Sequence, residues 1–417
     1  MPPARQKQLR AAPQAAAPPA TSPAAAPPVT RAVLLAADAA GRQIVSVHAK
    51  TTYRLQLSGA CALAEQQASF LELGQDQREQ GEQSALQELD ILPSKAGTDL
   101  IVMASAHAPR GKRATRLTAS IECGAVGRRM RVQGDRRCLY RGRGSIAFSA
   151  PEPFESVPLR YERAYGGCDP TVTPAQPRTL LEAVSPHPGI YPRNPAGRGY
   201  VVNETPWLID GLLLPNIEDP RGMLTPERLV SGGPQNWWRQ PLPWSCDWFD
   251  ASWYPRSVYL GAVPDFLPDD DRQVEEVRRG YVPRGQNARI RAATMSELID
   301  RRFSDAASPG LVLPFMKGDE AIRLHGMMPG GDFVVRLPGT RPRMEVRVGR
   351  KSFDLVPVPN RVLISLEEMG VYIVWHGAFA TPRPLPERPQ TESEPPAGWE
   401  LRGVDAFVDG ELVPPLP

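Results

Sequence analysis

Arg42–Leu57, RQIVSVHAKTTYRLQL, decides the fold. Its apolar residues Ile44, Val45, Val47, Tyr53, Leu55 and Leu57 fall in an alternating pattern, with β-branched residues throughout. Alternation at a period of two sends every second side chain to one face, so the stretch reads as a strand with one apolar side. Four more segments of the same texture follow: Leu100–His107, Arg116–Glu122, Val126–Gln133 and Cys138–Phe148. They recur about every ten residues with glycine-containing turns between them, a spacing that suits a β-sandwich or an open barrel. The texture returns near the other end in Ala321–Leu324, Phe333–Leu337, Met344–Val348, Ser352–Val358, Arg361–Leu366 and Val371–Phe379. The expected fold is therefore mainly β.

The rest of the chain is of different character. Residues 1–30 hold eight prolines and ten alanines and have little with which to fill a core, so a disordered tail is expected. Residues 31–150 read as an N-terminal β domain, 151–310 as a loop-rich middle, 311–380 as a C-terminal β unit and 381–417 as a Pro/Glu-rich tail. Within that last tail, Gly403–Val413 is apolar enough to dock as a final strand. The middle carries six of the eight tryptophans, between Trp207 and Trp253. Helical spacing there suggests helices over Ala288–Arg302 and Asp271–Arg279.

Whole-chain numbers narrow the function. The 417 residues are 23% charged and 41% hydrophobic, as in an ordinary soluble protein, while 47 prolines argue against long helices. A net charge of +3 is too small to imply nucleic acid or a membrane surface. No secretory signal and no run of about 18 apolar residues is present, so a cytoplasmic location is expected. The five cysteines are scattered and form no CxxC pair, which fits reduced thiols better than zinc or disulfides.

A search for catalytic constellations finds none. There is no G-x-S-x-G elbow, no Walker A loop and no dinucleotide-binding glycine pattern. The five histidines never come in metal-binding pairs, and His48 and His107 read as hydrogen-bonded structural histidines in strands. Asp269-Asp270-Asp271 lacks the spacing of a calcium loop. No cofactor and no metal is expected. One charge feature stands out: Arg110–Arg143 carries eleven Lys/Arg against Glu122 and Asp135 alone. Glu65–Asp90 just before it is acidic. The two stretches are either solvated faces of one domain or a surface that steers a protein partner, with Arg128, Arg129 and Arg131 as its candidates.

Three ordered motifs then carry a resemblance. Pro158–Gly167 (PLRYERAYGG) is followed by Asn194–Tyr200 (NPAGRGY) and Pro215–Pro220 (PNIEDP). Lys95–Leu100, Gly134-Asp135-Arg136, Lys317–Glu320 and Trp375-His376-Gly377 flank them. Together, over about residues 40–380, they resemble a bacterial family once filed as a domain of unknown function and associated with type VI secretion. Two segments depart from its pattern: Ser231–Trp238 replaces a P-x-G-F-G-P element, and Tyr281–Asn287 stands where an Asn- and Gln-containing segment is usual. The resemblance implies an adaptor acting between a type VI effector, its PAAR-domain tip protein and the trimeric spike protein. It supplies no catalytic residue.

The motif residues also make physical sense by themselves. Tyr161, Glu162 and Arg163 lead into Gly166-Gly167, a tight turn or close backbone approach. Arg163 and Arg198 offer forked donors, and Glu162, Glu218 and Asp219 offer carboxylates. With Asn194, Tyr200 and Asn216, they are expected to form a network holding the loops, or else a partner contact. The competing expectation is a carbohydrate- or peptide-acting hydrolase using the middle-segment carboxylates Glu162 and Glu218.

Overall fold

The decisive stretch forms the strand Gln43–Leu55, with Val45, Val47 and Ala49 fully buried on one face. Leu57 lies past its end and is 81% exposed, so the alternation stops one turn earlier than the sequence suggests. The computed structural model describes residues 30–37, 43–71, 88–92, 95–172, 188–260, 301–380 and 404–413. The tail 1–29, the expected helix Asp271–Arg279, all of the expected helix Ala288–Arg302 but its last two residues, and most of the acidic stretch lie outside them.

Three sheets dominate. The first runs in the order Thr30–Ala37, Gln43–Leu55, Gly370–Ala380, Val358–Ser365, Thr98–Met103 and Val312–Leu313, with Cys61–Leu63 added beside Gln43–Leu55. All its pairings are antiparallel except that of Val358–Ser365 with Thr98–Met103. The second is antiparallel, in the order Ile217–Glu218, Val126–Gln133, Arg116–Cys123, Ala321–Met328 and Gly331–Arg336. The third pairs Lys351–Leu355, Met344–Val348, Val404–Val408 and Glu411–Val413. The apolar faces of all three feed one core, which includes Val47, Leu100, Ile121, Met130, Leu324, Val346, Ile373 and Trp375.

The mainly-β expectation holds, but the expected division into 31–150 and 311–380 does not. Gln43–Leu55 is bonded along its length to Gly370–Ala380, and Arg116–Cys123 to Ala321–Met328. Each half lacks the neighbouring strands its own sheets need, so the two ends of the chain are built together. The anticipated docking near the C-terminus is present over residues 404–413, as two strands rather than one: Val404–Val408 pairs with Met344–Val348 and with Glu411–Val413. Cys138–Phe148 is not one strand but a hairpin, Cys138–Tyr140 against Ile146–Phe148, turning at Gly142–Ser145.

The middle segment packs on this frame with little regular structure. A second core holds it together, built from Tyr165, Tyr191, Tyr200, Trp237 and Tyr254. Their rings meet edge-on or tilted, with centroids 5.2 Å apart for Tyr165–Tyr191, Tyr191–Tyr200 and Trp237–Tyr254. Aromatic bulk here does the work that sheets do elsewhere.

Candidate functional site

The three ordered motifs converge on one clasp. Tyr161–Arg163 forms a single 3-10 turn, and Tyr165–Gly166 then pairs in parallel with Arg198–Gly199. Asn194, fully buried, ties the turn down: its Nδ2 donates to the carbonyls of Tyr161 (2.8 Å) and Tyr165 (3.0 Å). Its own carbonyl accepts the Gly167 amide at 2.9 Å. Gly166 sits at φ 151°, and a Cβ there would lie 2.1 Å from the Asn194 oxygen, so no other residue fits. Tyr200 closes the turn by donating its amide to the Gly166 carbonyl.

The third motif joins from the other side. Asn216 donates its amide to the Arg163 carbonyl, and its Nδ2 reaches the Gln133 carbonyl (3.0 Å) and Asp135 Oδ1 (2.9 Å). Ile217–Glu218 adds a short edge strand to Val126–Gln133. Glu218, 3% exposed, accepts from Gln133 Nε2 (2.8 Å), Arg136 Nη2 (2.7 Å) and the Leu224 amide (2.7 Å). Burial raises its pKa above the ordinary carboxylate value, while Arg136 pulls the other way.

The arginines divide differently from expectation. The partner of Glu218 is Arg136, which also donates to the Pro215 carbonyl, and neither Arg163 nor Arg198 meets that carboxylate. Arg163 pairs loosely with half-exposed Asp135 at 3.5 Å. Arg198 donates through Nε to the Glu162 carbonyl at 2.9 Å, so Glu162 enters the clasp through its main chain. Burial lowers the pKa of Arg198, and the nearby Arg163 charge adds to the effect. Gly134-Asp135-Arg136 was visible as a flanking motif; its placement against Asn216 and Glu218 follows only from strand pairing.

Of the basic candidates, Arg128 is corrected. It points inward, 4% exposed, donating to the carbonyls of Ser245 (2.6 Å) and Pro309 beneath the Trp244 ring. Arg129 and Arg131 fall on the outer side of the same strand; Arg129 is exposed and Arg131 half-buried. The difference is parity: in a strand, residues 128 and 130 share one face and 129 and 131 the other.

The flanking motifs are structural too. Lys95 and Asp99 form a buried ion pair, and the Thr98 hydroxyl donates to the Pro359 carbonyl at 2.6 Å. The amides of Lys317 and Gly318 donate to the Glu320 carboxylate, and Gly318 packs under the Trp375 ring. His48 lies mid-strand and buried, but the expected hydrogen bonds are not found: neither ring nitrogen has a partner among the described residues, and the ring lies 4.9 Å, centroid to centroid, from that of His376. Among the described residues no three His, Cys, Asp or Glu side chains are grouped to hold a metal ion. Nor is any described helix long and apolar enough to cross a membrane.

A mainly-β chain whose ordered motifs build a loop clasp is the class this geometry defines. Residues 40–376 match the model of a family described as an uncharacterized protein conserved in bacteria (DUF2169), and the chain belongs to that family. No curated protein and no solved structure matches it.

Proposed function

We propose that this chain is a non-catalytic adaptor that binds a type VI effector or its PAAR-domain protein in the cytoplasm and helps load it onto the trimeric spike. The observation carrying this reading is how the surface and the clasp divide the polar residues. Glu218, which the hydrolase reading needs, is locked by three donors and shut from solvent. The outer surface instead presents Trp207, 82% exposed, on the short helix Pro206–Ile209. That helix packs against the hairpin strand Cys138–Tyr140, and the hairpin turn carries exposed Arg141 and Arg143. A large exposed aromatic on a surface turn has the composition of a protein-docking anchor.

Co-expression with a PAAR-domain protein or toxin from the same gene neighbourhood tests the proposal. The adaptor reading expects co-purification and a higher soluble yield of that partner, both reduced by Trp207→Ala. Absence of any complex at low salt, together with glycan or peptide turnover lost in Glu218→Gln, would replace it with the hydrolase reading.

A further inference from the structure

The third sheet ends in an open edge. Lys351–Leu355 is its outermost strand, paired in regular register with Met344–Val348 on one side only. About half the main-chain N–H and C=O groups of such a strand point away from its neighbour. Among the described residues, none of these outward groups meets another main-chain donor or acceptor. Two other outer strands are closed. In Gly331–Arg336 the Arg336 amide donates to the Gly59 carbonyl at 2.8 Å, and in Thr30–Ala37 both Ala32 and Val33 are buried.

The side chains along this edge are sorted as well. Lys351, Ser352 and Asp354 are exposed, whereas Phe353 and Leu355 are half-buried. Phe353 stands opposite Val346 and Leu355 opposite Met344, two core residues, so both point to the inner face. Phe353 meets the half-buried ring of Phe379, their centroids 4.6 Å apart. The result is an apolar shelf just inside the open main chain, and the next residue, Val356, is 77% exposed. A row of unpaired main-chain groups beside such a shelf is a template for one more strand. At the other end of the edge, Arg350 and Lys351 are exposed cations that form no ion pair among the described residues. Asp354 is already held by Arg343 at 3.2 Å.

We propose that this edge takes an extended segment of another protein as the fifth strand of its sheet. Alternate apolar side chains of that segment cover Phe353 and Phe379, and an acidic residue near one end meets Arg350 and Lys351. The edge charges Lys351 and Asp354 act against pairing with a second copy of this chain. The inference is independent of the adaptor reading.

The test is selection of short random phage-displayed peptides on the full chain, followed by amide hydrogen exchange with the enriched peptides. Enrichment of apolar residues at alternate positions with a carboxylate toward one end is expected. Binding should slow exchange within Lys351–Leu355 about tenfold or more. Lys351→Glu, a change at an exposed side chain, should weaken such a peptide about fivefold, and replacing the peptide's acidic residue with lysine should restore affinity. Phe353→Ser should weaken both peptides. No enrichment of alternating peptides, unchanged exchange within Lys351–Leu355, or equal affinity for wild type and Lys351→Glu overturns the proposal. So does a concentration-dependent dimer that protects the same strand, which makes a second copy the occupant.

Discussion

Arg136, which pairs with Glu218, and Arg163, which pairs with Asp135, carry different loads. Arg136→Met leaves the Glu218 carboxylate buried without its cation and should cost roughly 3–5 kcal/mol in urea unfolding. Arg163→Ala removes a 3.5 Å contact to half-exposed Asp135 and should cost under about 1 kcal/mol. Gly166→Ala should destabilise by roughly 3 kcal/mol or more, because its Cβ would collide with the Asn194 oxygen at a left-handed φ. The need for Gly166 was readable from the Gly-Gly pair. Which arginine meets Glu218 was not: Arg136, Arg163 and Arg198 were equally available in the chain, and the pairing of Ile217 with Val132 selects the first.

Along Gln43–Leu55, period-two alternation disclosed the strand and its apolar face. It concealed that the polar face is covered as well, because Asp90, the counter-charge to Lys50, arrives from forty residues away. The cross-strand pair His48–His376 shows the consequence. Burial, with the neighbouring ring, lowers His48 from 6.5 to about 3, and burial lowers His376 to about 4. As pH falls below 6.5 the unfolded chain takes up protons that the folded pair refuses, so stability falls. Each histidine contributes up to about 1.4 kcal/mol per pH unit. Asp247 acts in the opposite sense: burial raises it from 3.8 to about 7, so it adds stability as pH falls through that window. The informative quantity is a difference. His48→Leu should flatten the wild-type slope of unfolding free energy between pH 6.5 and 4.5 by about 1.2 kcal/mol per unit on average. An unchanged slope would mean that His48 already titrates normally in the folded chain.

Across the whole molecule, the two ends of the chain share sheets while the middle is gathered by aromatic rings. The class of fold was legible because local alternation survives any topology. The interleaving was not, since strand order depends on long-range pairing that no local pattern encodes. The one-sided charge of Arg110–Arg143 was also legible as composition, but Arg128 and Arg136 are taken inside, while Arg110, Lys112, Arg113, Arg116, Arg129, Arg137, Arg141 and Arg143 are exposed and Arg131 is half-buried. The proposed adaptor role would act by mass action, with the exposed charges steering association. The most direct measurement is therefore the affinity of the full chain for a PAAR-domain protein from its gene neighbourhood, as a function of salt. The account predicts a saturable complex that weakens as salt is added, and that the double change Arg129→Glu, Arg131→Glu weakens without altering the melting temperature. A complex indifferent to both salt and charge reversal, or no complex at low salt, would contradict it.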